Sequence, residues 1–115
     1  MREIKFRAWN SSISVLTNVI EIRFNQNSIL TDDSKFLWDL NKAVLEQYTG
    51  LKDFNGAEIY EGDILQDVDD STIVGVVEYD KAFGEYDCGD NNLYECTRDC
   101  VVIGNIHENV DLLKE

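Results

Sequence analysis

The side chains in this 115-residue sequence that could do chemistry are one histidine, three cysteines and many carboxylates. Cys88, Cys96, Cys100 and His107 follow one another with the spacing C-x7-C-x3-C-x6-H. Zinc sites are commonly recognised by a C-x2-C pair, and this spacing contains none. We therefore predict no metal site, and we interpret the cysteines as reduced thiols that serve as small, buried apolar residues.

The enzymatic alternative is a small metal-dependent hydrolase built around His107. Nucleophilic catalysis would pair this histidine with Cys96 or Cys100. With 23 acidic residues in the chain, carboxylate pairs are available everywhere, so no particular pair stands out. The glycines are isolated and form no phosphate-binding loop. These patterns favour a non-enzymatic protein with no catalytic residues and no cofactor.

The charge balance is strongly acidic. The 23 acidic residues stand against ten basic ones, which gives a net charge of −13 at pH 7. Such a surface repels phosphate backbones, so direct nucleic-acid binding is not expected. One interpretation of the excess acidic residues is that they keep the chain soluble. The other is that they imitate DNA, and the alternative function is then an inhibitor of a host nucleic-acid-binding protein. Because no long apolar run or signal peptide is present, we predict a cytoplasmic protein without membrane contact.

Strand periodicity dominates the sequence. Apolar and polar residues alternate in Glu3–Trp9, which is typical of a strand with one buried face. Ile13–Leu16 and Val19–Phe24 continue the pattern, with Thr17 and Asn18 predicted as a hairpin turn between them. Short strands and turns at this spacing predict a small, strongly bent barrel or sandwich.

Two segments need separate predictions. Residues 35–48 carry apolar side chains at helical spacing, yet Ala43–Thr49 also has a strand pattern. We predict a short helical turn at Lys35–Asn41 followed by a strand. Leu93–Cys96, which follows a turn rich in glycine and asparagine, is predicted as a strand.

Three segments together carry a family resemblance. They are Met1–Trp9 (MREIKFRAW), Gln47–Ile64 (QYTGLKDFNGAEIYEGDI) and Val102–Leu113 (VIGNIHENVDLL). In these segments the chain resembles the YopX proteins of phages and prophages, in the family's order from start to end. Phe54 departs from the pattern, because the family commonly has a polar residue there.

The resemblance implies a mainly β fold, a β-rich α+β domain that occupies residues 1–115. It implies a small SH3-like barrel in the C-terminal half, an N-terminal β-hairpin region and at most one or two short helices. It also implies a phage or prophage origin in a bacterial host. It transfers no catalytic residue, because the biochemical role of the family is not established.

The aromatic and polar residues of these segments form our candidate interaction surface. Tyrosine, tryptophan and arginine anchor many protein interfaces. We therefore predict a non-enzymatic protein-interaction module that binds a protein partner or self-associates into a homo-oligomer. The alternative reading, in which these residues make only turns, strand corners and core, stays open. The candidate residues are Arg7, Trp9, Tyr48, Asp53, Asn55, Tyr60, Glu61 and Asp63.

Overall fold

The computed structural model describes residues 2–32 and 37–114. The chain divides into two compact units, Met1–Gln47 and Tyr48–Glu115, and each is described by itself below. Whether they make up one domain stays a prediction. No helix among the described residues is long and apolar enough to cross a membrane.

Strands make up most of the regular structure of the described residues. The strands are β1 (Phe6–Asn10), β2 (Val15–Arg23), β3 (Ser28–Thr31), β4 (Trp38–Asp39), β5 (Val44–Lys52), β6 (Glu58–Tyr60), β7 (Asp63–Asp67), β8 (Ile73–Asp80), β9 (Glu85–Cys88), β10 (Asn91–Asn92) and β11 (Cys100–Asn105). The helical elements are the 3₁₀ turns Phe24–Gln26, Leu40–Lys42 and Val110–Leu113 and the α-helical turn α1 (Leu93–Cys96).

The first unit is an antiparallel sheet with the strand order β4-β3-β2-β1-β5, to which β5 contributes its first residues. Its core forms where the alternation of β1 points Ala8 inward, against Ile29 and Trp38, and all three side chains are buried. Partly buried apolar residues surround them: Val15, Val19, Ile22, Leu40 and Ala43. The predicted N-terminal β-hairpin is present as the antiparallel pair β1–β2.

The hairpin turn predicted at Thr17 and Asn18 is wrong, because both residues lie inside β2. The chain turns earlier, between β1 and β2. There Ser14 adopts a left-handed backbone conformation with φ 52°, and the Asn10 side chain accepts a hydrogen bond from the Ser12 backbone N–H at 3.0 Å. Asparagine favours such a local turn as strongly as the later pair does, so composition alone did not separate the two positions.

The helical turn predicted at Lys35–Asn41 begins at residues that lie outside the described part of the chain. Within the described part, the chain forms β4 and then the 3₁₀ turn Leu40–Lys42. The Asp39 side chain caps this turn by accepting a hydrogen bond from the Asn41 backbone N–H at 2.8 Å. In residues 37–42 the helical structure is therefore the 3₁₀ turn, which lies further towards the C-terminus than predicted, and the strand predicted after it is confirmed as β5.

The second unit contains a five-stranded antiparallel sheet with the order β10-β9-β8-β7-β11, and its part of β5 pairs with β6. The mainly β fold class is confirmed. The described strands form two antiparallel sheets and no closed barrel, so the SH3-like barrel is not confirmed. The buried core residues of this unit are Ile59, Leu65, Val77, Cys88, Leu93, Cys96 and Cys100.

The strand predicted at Leu93–Cys96 is wrong, since these residues form the helical turn α1. The Asn92 side chain accepts a hydrogen bond from the Tyr94 backbone N–H at 3.0 Å and so caps the turn. Leu93 and Cys96, three positions apart, are then both buried on one side of the helical turn.

A close approach of two backbone segments shapes the second unit. Gly75, with φ 153°, lies in an irregular part of β8, and a Cβ atom there would stand 2.5 Å from the Gly89 backbone nitrogen. A Cβ atom on Gly89 would in turn overlap the Val74 carbonyl oxygen. Both positions therefore require glycine, because only a residue without a side chain permits this approach.

Candidate functional site

Asp53 organises the turn that follows β5. One oxygen of its buried carboxylate, Oδ1, accepts hydrogen bonds from the backbone N–H groups of Asn55 and Ala57, each at 2.9 Å. The other oxygen, Oδ2, accepts a hydrogen bond from the Val102 backbone N–H in β11, also at 2.9 Å. The Phe54 N–H adds a bond to the Cys100 carbonyl at 2.9 Å. Asp53 thus fastens the turn to the outer edge of β11.

Asp63 organises the next corner, between β6 and β7. Its side chain is 2% exposed, and Oδ2 accepts a hydrogen bond from the Tyr60 backbone N–H at 2.7 Å. Between these residues, Gly62 takes φ 86°. Its N–H donates to the Val77 carbonyl, and its own carbonyl accepts from the Ile106 N–H, both at 2.9 Å. The corner is therefore joined both to β8 and to the end of β11.

The other predicted surface residues of the second unit have mixed positions. Tyr48 and Tyr60 are buried and pack together, with ring centroids 5.5 Å apart and an interplanar angle of 40°. Asn55 is exposed, and Glu61 is partly exposed. Four of the six predicted residues in this unit are thus interior groups with visible folding roles, and a binding role for the set stays a prediction.

Arg7 and Trp9 belong to the first unit and share one face of β1. The Arg7 Nε atom lies 2.9 Å from Glu46 Oε1, and the two side chains are only 12% and 6% exposed. Trp9 is half-buried and stands opposite Leu16 in β2 and Val44 in β5. The Arg7 cation is therefore already paired inside the fold, where removal of one partner would leave the other charge buried.

The hairpin β8–β9 lies outside the interaction surface predicted from the sequence. Its register pairs Tyr79 with Tyr86 and places Val77 opposite Cys88 on the same face. Carboxylates therefore occupy the opposite face, which we call the acidic face. The acidic face consists of Glu78, Asp80, Glu85 and Asp87.

Aromatic rings cover the outer part of the other face. The Tyr79 and Tyr86 rings pack edge to face, with centroids 5.2 Å apart and an interplanar angle of 68°. Tyr79 is nonetheless 50% exposed, and Phe83 in the connecting turn is 79% exposed. The Tyr79 hydroxyl lies beside Gly84 in that turn. We call Tyr79 and Tyr86, together with Phe83 in the turn that joins their strands, the aromatic face.

A sequence signal for this hairpin was present. The tripeptide Glu-Tyr-Asp occurs twice, at 78–80 and at 85–87. Two acid–aromatic–acid strands joined by a glycine-containing turn predict an antiparallel pair with tyrosines on one side and acids on the other. The repeat is short, and it lies outside the three segments that carry the family resemblance.

The acidic face holds like charges at close quarters. Glu78 stands directly opposite Asp87, and Asp80 stands opposite Glu85. Partial burial, and then the charges of Asp80 and Glu85, raise the pKa of Asp87. Within the described residues, no ion pair involves any of these four carboxylates. From the neighbouring strand β10, Asn92 Nδ2 donates a hydrogen bond to Glu85 Oε2 at 2.9 Å.

The three cysteines lie buried in the second unit as free thiols. Burial, with the neighbouring thiol Cys96, raises the pKa of Cys88 to about 12 and that of Cys100 to about 11. Burial also raises the pKa of Cys96. Because the thiolate is the reactive form, these shifts make the thiols poor nucleophiles. Cys96 and Cys100 border a cavity of about 270 Å³ that is also lined by Asp67, Val74, Asn91, Glu95 and Asp99.

The described residues contain no group of three or more His, Cys, Asp or Glu side chains arranged to hold a metal ion. The His107 backbone N–H donates a hydrogen bond to Asn105 Oδ1 at 3.0 Å, next to the end of β11.

A second cavity, of about 410 Å³, lies in the first unit beside Ser28 and Trp38. The Ser28 hydroxyl has no hydrogen-bond partner in the described structure, but it is also shielded from solvent. A molecule in the cavity would therefore not reach this hydroxyl without a rearrangement, and we assign no ligand to it.

Taken together, the described structure is a mainly β protein with two antiparallel sheets, in which buried carboxylates hold the turns. A family model described as YopX protein matches residues 5–114, so the chain belongs to the YopX family. Its structure is similar to the crystal structure of protein EF1440 from Enterococcus faecalis. The two are 29% identical with a TM-score of 0.75, over 99% of this chain and 100% of that one. A comparison with curated proteins found no match.

Proposed function

We propose that this YopX family member is a non-enzymatic protein-interaction module of phage or prophage origin that acts in the bacterial cytoplasm. The observation that carries the proposal is the aromatic face of the β8–β9 hairpin. Phe83 is 79% exposed and Tyr79 is 50% exposed. Large aromatic side chains grouped at the surface are the usual anchors of protein interfaces.

Two features support a role without catalysis. The thiols, the strongest potential nucleophiles of the chain, are buried and have raised pKa values. The carboxylates of the family segments, Asp53 and Asp63, accept hydrogen bonds from backbone N–H groups and hold turns. Both sets of groups thus have structural duties in the fold.

Self-association is one form of such a module, and the aromatic face is its natural contact. Two copies with a net charge of −13 repel each other at low salt. A homo-oligomer held by the aromatic face would therefore strengthen as salt increases, which light scattering after size exclusion would detect. Loss of the oligomer in Phe83→Ser would identify the contact.

The test for a different partner is affinity capture from a lysate of the bacterial host, followed by titration of each purified candidate. The variants are Phe83→Ser and Tyr79→Ser, and Phe24→Ser is the matched control because Phe24 is 81% exposed in the first unit. We expect a bound protein whose affinity falls about tenfold or more in the hairpin variants and is unchanged in the control. A monomer at every salt concentration that retains no hairpin-dependent partner would refute the proposal.

A second candidate function is imitation of DNA by the acidic face. The specific observation that favours it is the row of four carboxylates on one side of the hairpin. An imitator of DNA displaces duplex DNA from the protein that it binds. Competition between the chain and labelled duplex DNA for the captured partner tests this candidate, and simultaneous binding of both would exclude it.

A further inference from the structure

We infer that the β8–β9 hairpin enters a cleft of a basic protein partner, which contacts the aromatic face on one side and neutralises the acidic face on the other. The inference rests on the proposed function and adds the chemistry of the partner and the geometry of the contact. It starts from the two faces of one hairpin, whose side chains differ in kind but are separated only by the thickness of the strands.

The acidic face is energetically unfavourable in the free protein. Like charges directly opposite each other on neighbouring strands destabilise a sheet, and here both acidic pairs are of this kind. Burial raises the pKa of Asp87, and the charges of Asp80, Glu85 and Glu78 raise it further. A partner that brings lysine or arginine side chains to this face neutralises the carboxylates. Part of its binding free energy then comes from relief of their mutual repulsion.

The aromatic face supplies the apolar part of the contact. Phe83 lies at the tip of the hairpin, where it exposes 79% of its surface, and Tyr79 is 50% exposed. Tyr86 is partly buried, because it packs against the core of the unit as well as against Tyr79. Because the two faces point in opposite directions, a flat partner surface contacts only one of them. A cleft with basic and apolar walls contacts both.

Other occupants fit this hairpin less well. A second copy of the chain also has a net charge of −13 and would bring acid to acid. Nucleic acid would bring phosphates to the same carboxylates. Charge complementarity therefore selects a basic protein.

The defining experiment uses a probe of known chemistry, a synthetic peptide of alternating lysine and tryptophan, titrated into isotope-labelled protein and followed by NMR. The test variant is the pair Glu78→Gln with Asp87→Asn. The matched control is Asp69→Asn with Asp90→Asn, which changes the net charge equally at exposed sites outside the acidic face. The test variant removes repulsion, so we do not expect it to impair folding.

We expect shift changes centred on β8 and β9 and an affinity that the test pair lowers about tenfold at low salt, while the control pair alters it less than about twofold. Raising the salt from about 50 to 300 mM should weaken binding, because screening shortens the range of the charges. Phe83→Ser should lower the affinity about fivefold. Equal losses in both charge pairs, or shift changes centred elsewhere, would overturn the inference.

The same variants separate this inference from the proposed function. A host protein that is lost with Phe83→Ser, yet binds the Glu78→Gln, Asp87→Asn variant normally, would support an interaction module and overturn the basic cleft. A host protein that loses affinity with both hairpin changes would support both. If no host protein binds and the chain stays monomeric at every salt concentration, the proposed function fails even where the peptide binds the hairpin.

Discussion

The Asp53 carboxylate accepts a hydrogen bond from the Val102 backbone N–H at 2.9 Å, across 49 positions of sequence. This bond joins the second and third of the segments that carry the YopX resemblance. Gly62 adds a second link between the same segments through its carbonyl and the Ile106 N–H. These two hydrogen bonds therefore join the second and third family segments within the second unit.

Replacement of Asp53 by alanine should be strongly destabilising. It removes the acceptor of three backbone N–H groups in a buried setting, and we expect the free energy of unfolding to fall by about 3 kcal/mol. Urea denaturation measures the loss. Asn55→Ala, an exposed change in the same turn, should stay within about 0.5 kcal/mol. Equal losses in the two variants would contradict the role assigned to Asp53.

Gly75 and Gly89 should not tolerate replacement by any residue that has a side chain. We expect Gly75→Ala and Gly89→Ala each to lower the free energy of unfolding by about 3 kcal/mol, since a Cβ atom would overlap the facing backbone. Gly56→Ala is the control. It has φ 86° but nothing within 4 Å, so conformational strain alone should cost about 1 kcal/mol. Thermal or urea denaturation distinguishes overlap from strain, and an equal cost at all three positions would exclude overlap.

Asp87→Asn should stabilise the protein at neutral pH. The pKa of Asp87 is raised in the folded state by partial burial and by Asp80, Glu85 and Glu78, while the opposite residue in β10 is the neutral Asn92. The folded state therefore binds the proton more tightly, and stability falls as pH rises through this pKa.

The advantage of Asp87→Asn should be present above the raised pKa and vanish below the pKa of the unfolded chain. Urea denaturation across a pH series measures it, and added salt should reduce it. Asp69→Asn, the same change at an exposed site outside the acidic face, is the control. A variant less stable than the parent at neutral pH would show that Asp87 has a partner that outweighs the repulsion.

The three thiols should react slowly with Ellman's reagent while the protein is folded. Burial and the raised pKa values leave little thiolate at mildly alkaline pH, so we expect rates at least about 100-fold below those in denaturant. Ser11→Cys places a thiol at an exposed turn in the first unit and should react at the rate of a free thiol. Rapid reaction of the native thiols would contradict their burial.

Local sequence patterns correctly predicted those elements that depend mainly on residues close together in the sequence. The alternation in Glu3–Trp9 predicted β1, and the strand pattern in Ala43–Thr49 predicted β5. The errors arise where several local solutions compete. Thr17-Asn18 and the residues after Asn10 suit a turn equally well, and the Asn92 cap converts a predicted strand into α1. Pairing between strands that are distant in sequence decides such cases, and a short stretch of sequence carries no information about that pairing.

The candidate site was predictable only in part. Asp53, Asp63, Tyr48 and Tyr60 are prominent in the sequence, but their burial depends on contacts with β11, β7 and one another. The sequence pattern does not separate a carboxylate that holds a turn from one that meets a partner. The β8–β9 hairpin had a readable signal, the repeated Glu-Tyr-Asp, which becomes meaningful once the register pairs the two copies.

The division of the chain into two units has an experimental consequence. Both tryptophans, Trp9 and Trp38, lie in the first unit, and all three cysteines lie in the second. Tryptophan fluorescence thus reports the melting of one unit, and thiol exposure reports the melting of the other, without any added label. Coincident transitions would mean one cooperative domain, and separate transitions would mean two.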